Sequence, residues 1–147
     1  MTSKAVFKDA EWQQVQSAVY FAGAIVPCLE FGVVAMVREG KAILAVMEEL
    51  RAQHKDHEFL RELFASTEMP DLGKQENPVA VMMEQIRQAH ALMKAHASAE
   101  ELAAFNAALN HMAEKVAGAS GSGWFGFGEK ISEKEKAYLA DLKAVLS

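Results

Sequence analysis

Three residues near the middle of the chain have the types and spacing of a metal site. His54 and His57 lie three apart, and His54 and Glu58 lie four apart. On one unbroken helix all three would share a face, and imidazole with carboxylate is a common donor set for divalent ions. Their surroundings argue the other way. Arg51, Lys55 and Arg61 flank the trio, and Gln53-His54-Lys55-Asp56 reads as a polar break between helices. The expectation is a solvated turn, with His54, His57 and Glu58 as minor candidates and no metal or cofactor assigned.

Other reactive groups stand alone. Glu30 sits between Leu29 and Phe31 in the most apolar stretch, where desolvation penalises a charge and acid–base groups are often found. The simpler reading is a helix-end carboxylate with a local partner such as Arg38. Cys28 follows Pro27 inside an apolar run, the setting of an inert buried thiol. His90 shares a helical stripe with Ile86 and Met93 and reads as a hydrogen-bonded boundary residue. His96 reads as exposed, and His111 and Glu114 as a surface pair. No glutamate has a histidine three residues later, which argues against a carboxylate di-metal centre in a helical bundle. No G-x-S-x-G run is present.

Gly121-Ser122-Gly123-Trp124-Phe125-Gly126 matches the spacing of a dinucleotide-binding loop. It lacks the context: an amphipathic helix precedes it instead of a strand, and the next helix starts only near Ser132. The expectation is a loop over 118–131, entered by a helix that stops at Gly118, whose Trp124, Phe125 and Phe127 dock into the protein or onto a partner.

The elements that would hold these residues are helical. Trp12, Val15, Val19, Ala22, Val26 and Leu29 recur at steps of three and four, with Ala18, Phe21, Ile25 and Cys28 alongside. Gln13, Gln14 and Gln16 lie outside this stripe. The later turns are apolar all round, the pattern of a central helix covered by others. Asp9 is the expected cap, and Pro27 is expected to kink or end the helix. A turn near Glu30 to Gly32 precedes a second helical stretch from about Val33 to Gln53, with Gly40 a weak point. Asp56 is the expected cap of the short apolar face at Leu60, Leu63 and Phe64. The stretch 66–77, with Pro70 and Gly73, reads as a loop. Asn77-Pro78 starts a helix well. Ser98/Glu101 and Ser132/Glu135 are capping boxes. No alternating run suggests a strand. The expectation is one all-α domain over 1–147, a compact bundle of about five to six helices.

Composition narrows the partners. Fifteen basic residues face 20 acidic ones, for a net charge of −5, so no basic footprint for nucleic acid exists. A single cysteine forms no internal disulfide, and a reducing cytoplasm is the default compartment. The first residues, Met1 to Asp9, have no apolar core, so no secretory signal is expected. Ser17 to Val37 is long and apolar enough to raise a membrane span, but Pro27, Glu30 and Gly32 oppose it.

The run Trp124-Phe125-Gly126-Phe127-Gly128, followed by Ile131-Ser132-Glu133 and a last helix, resembles the C-terminus of small bacterial helical proteins of unassigned activity. Glu11-Trp12 would match their tryptophan-bearing first helix. The resemblance implies a bacterial, cytoplasmic, all-helical protein and transfers no activity.

Several helices carry more than one apolar stripe, more than a bundle needs if each covers one face. The expected function is therefore interaction instead of catalysis, through self-association into a homo-oligomer or docking to a protein partner. The alternative is a carrier or sensor of a small apolar ligand, with a pocket lined by Phe21, Glu30, Met82, Met83 and His90.

Overall fold

A long first helix, α1 (Asp9–Phe31), forms the axis around which the other helices gather. The computed structural model describes residues 2–65, 69–120 and 132–147. Part of the expected 66–77 loop and the residues Trp124, Phe125 and Phe127 lie outside this set. A 3-10 turn (Lys4–Val6) precedes α1. The Lys8 backbone N–H donates to the Glu11 carboxylate at 2.8 Å, so Lys8 caps α1 and Asp9 is its first helical residue. Every residue from Ala18 to Cys28 is buried, as expected of an all-round apolar helix.

Pro27 does not end α1. Losing one backbone donor costs about 3 kcal/mol in a helix interior, and the packing of this fully enclosed stretch outweighs it. Gly32 ends the helix instead. Its φ of 81° and ψ of −170° lie where side-chain-bearing residues are strained. The chain then turns into α2 (Val33–Arg38), and Glu39 separates it from α3 (Gly40–Gln53). A Cβ at Gly40 would sit 3.2 Å from the Tyr20 hydroxyl, so glycine lets the start of α3 lie against α1.

α4 (Glu58–Leu63) is capped by His57, whose Nδ1 accepts from the Leu60 N–H at 3.4 Å, and not by Asp56. α5 (Pro78–His96) starts at Asn77, whose Oδ1 accepts from the Ala80 N–H at 3.1 Å. α6 (Ala99–Ser120) runs through Gly118 without stopping there. Its capping box forms as expected: Ser98 N–H donates to Glu101 Oε1 at 2.9 Å, and Glu101 N–H donates to Ser98 Oγ at 3.1 Å. Ser132 and Glu135 make the same reciprocal pair at the start of α7 (Glu133–Val145).

The described residues therefore form an all-α fold of seven helices with no strand. The count exceeds the sequence expectation because the stretch after Phe31 breaks at Glu39. α1 packs mainly on α5 and α6 and also meets α2, α3 and α7. A Cβ at Gly23 would lie 2.8 Å from Met112 Sδ, so the α1–α6 crossing is closer there than a side chain allows.

Candidate functional site

The three metal candidates do not act together. His54 ends α3 and packs against the Phe64 ring at 5.5 Å. Burial, and secondarily the His57 ring, push its imidazole below the usual histidine range. His57 is committed at both ends, Nδ1 to the α4 cap and Nε2 to Glu101 at 3.4 Å. Glu58 is exposed in the first turn of α4. Among the described residues, no three His, Cys, Asp or Glu side chains are grouped to hold a metal ion.

Glu101 is the centre of a polar cluster that sequence reasoning saw only as a helix cap. It is 1% exposed. Besides Ser98 and His57, it accepts the Thr2 backbone N–H at 3.2 Å and the Thr2 hydroxyl. Burial pushes its carboxyl up, but the hydrogen bonds from Thr2 and Ser98 together outweigh burial and hold it below its ordinary value. The N-terminal segment is thus strapped across the starts of α4 and α6. Phe7 secures it by packing on Trp12, Phe59 and His96, with ring centres 5.7, 6.1 and 5.4 Å away. This cluster joins three segments, the N-terminal strap and the starts of α4 and α6, which is a structural role.

The residues expected to line an apolar pocket are dispersed. Met82, Met83 and Phe21 are buried. Met82 and Met83 are ordinary core packing. His90 Nδ1 lies 3.0 Å from Asn106 Oδ1, and the Asn106 amide donates to the Leu146 carbonyl at 3.0 Å. That chain ties α5 and α6 to the end of α7. Glu30 is half-buried and accepts from the Ser132 hydroxyl, not from Arg38. Cys28 is buried, and burial pushes its thiol up. His111 reaches across to Glu49 at 3.0 Å instead of pairing with Glu114.

Two surface features remain. The first is an apolar corner at the α1–α2 junction, where Phe31 and Val34 are each 71% exposed, Val37 54% and Val33 46%. Gly32 creates it: the turn there ends α1 before the apolar run does. Arg38 and Lys41 are exposed beside it, and Glu39 is half-buried.

The second is an open cleft of about 790 Å³ between α1, α5 and the segment 69–75. Gln13, Gln14 and Ser17 line it from α1, and Val81 and Gln85 from α5. Met69, Asp71, Leu72 and Gln75 form the third side, and Phe21 of α1 also borders it. Of the expected pocket residues only Phe21 borders it. Helical spacing puts Gln13, Gln14 and Gln16 on the solvent side of α1. The available signal was that this outer face carries neutral amides where exposed helix faces usually carry charges.

No family model, curated protein or solved structure matches the chain. No helix among the described residues is long and apolar enough to cross a membrane. The span raised at Ser17 to Val37 is divided between the buried part of α1 and the exposed corner.

Proposed function

We propose that this protein works by association instead of catalysis, and that its contact surface is the apolar corner, seated on a second copy of the same chain. The observation that carries this reading is the exposure of Phe31, Val33, Val34 and Val37 within seven residues of one another. Single exposed apolar side chains are ordinary on a protein surface, whereas contiguous ones favour contact with another apolar surface. A two-fold contact must be self-complementary. The corner meets that condition, because Arg38 and Lys41 stand beside Glu39 and each copy supplies both signs to the rim.

A contact centred on four side chains falls below the ~800 Å² per partner usual in stable complexes, so a dissociation constant on the order of 10–100 µM is expected. Carriage of a small apolar ligand draws no support from Met82 and Met83, which pack in the core. The test is a dilution series of the labelled protein followed by amide NMR. Signals from residues 31–41 shift with concentration if the corner is the contact, while those of α7 stay in place. Shifts confined to any other surface, or none at all, refute it.

A further inference from the structure

The cleft between α1, α5 and the segment 69–75 is independent of the apolar corner, and its chemistry is specific. Its walls carry the neutral amides of Gln13, Gln14, Gln75 and Gln85, and Asp71 is the one charged side chain among its lining residues. A carboxamide holds one acceptor oxygen and a two-hydrogen donor in a plane, the same pair that a peptide unit presents. The Gln14 amide donates to Gln85 Oε1 at 2.9 Å and to Gln88 Oε1, which fixes the two walls against each other. The Gln14 carbonyl oxygen, the Gln85 amide hydrogens and the whole Gln13 amide then have no hydrogen-bond partner among the described residues. The apolar side is supplied by Leu72, Val81 and Met69.

The dimensions suit a short extended chain. Eleven residue steps separate Ala10 from Phe21 along the α1 wall, about 16 Å of helix, which is the length of about five extended residues. Other ligand classes fit less well. A phosphorylated ligand would need cations, and no Lys or Arg lines the cleft. A sugar ring would need an exposed aromatic face, and Phe21 is only 5% exposed. We propose that this cleft binds an extended, uncharged peptide segment, its main chain paired with the glutamine amides and one apolar side chain set against Leu72 and Val81.

The experiment titrates the full-length, ¹⁵N-labelled protein with the blocked pentapeptide acetyl-AALAA-amide. Saturable shifts of the Gln13, Gln14 and Gln85 side-chain amide signals are expected. Gln13→Ala with Gln85→Ala removes two pairing groups and weakens binding about tenfold. Gln13 is exposed, so Gln13→Ala alone keeps the fold and gives a smaller loss in the same direction. The concentration-dependent shifts at residues 31–41 remain in both variants, which separates this site from self-association. Absence of amide shifts at millimolar peptide overturns the proposal. Unchanged affinity in both variants also overturns it, as does a response to maltopentaose with none to the peptide.

Discussion

The carboxylate of Glu101, in the first turn of α6, lies 3.4 Å from Nε2 of His57 at the start of α4. The same carboxylate takes the backbone N–H and hydroxyl of Thr2, so one buried charge joins two helix starts to the N-terminal strap. Two local motifs, a histidine cap and a capping box, thereby become one tertiary contact.

Stability in acid should report that contact. The folded state holds the Glu101 carboxyl below its unfolded value of 4.5. Its contribution is therefore present above that value and is lost as pH falls through the folded value. Glu101→Gln should lower stability at neutral pH by about 1–3 kcal/mol and flatten the acid side of the profile. Urea unfolding of both proteins from pH 7 down to pH 3 checks this; an unchanged acid slope would contradict it.

Gly32→Ala isolates the backbone turn that creates the apolar corner. Nothing lies within 4 Å of a Cβ at Gly32, so any loss comes from conformation and not from a clash. The positive φ predicts a cost of about 1–3 kcal/mol. Equal midpoints in a denaturant titration would show that the junction relaxes freely.

Much of the fold was legible in the sequence, and the reasons differ by element. Both capping boxes and the Asn77-Pro78 start are local signals, and each forms where its residues stand. Pro27 misled because a local rule lost to burial on every side of α1. The break at Glu39 carried only the weak hint of Gly40. The cluster at Glu101 was hidden because Thr2 is 99 positions away in the chain. The cleft was hidden too: its glutamines read as a solvent face until the segment 69–75 and α5 are placed opposite. Met82 and Met83, pocket residues only under the carrier alternative, are core, the commoner use of flexible apolar side chains.

Tyr138 provides a test of the α1–α7 contact. Its hydroxyl donates to the Ala22 carbonyl at 2.7 Å inside the core, and burial raises its pKa. Tyr138→Phe should cost about 1 kcal/mol without changing helix content. Thermal unfolding followed by circular dichroism measures both quantities.

Cys28 should be silent in the native protein. It is buried, and burial disfavours the reactive thiolate. Ellman's reagent should label it only after denaturant opens the bundle. Rapid labelling under native conditions would mean that the end of α1 opens independently of the rest.

Sedimentation equilibrium of the wild-type chain beside a Phe31→Ser, Val34→Ser double variant tests self-association most directly. The wild-type mass should climb from 16.1 kDa toward twice that value as concentration rises through the tens to hundreds of micromolar expected for a small interface, while the variant stays at one chain's mass and keeps its helical spectrum. A wild type that remains monomeric throughout, or a variant that associates equally well, would contradict association through this corner.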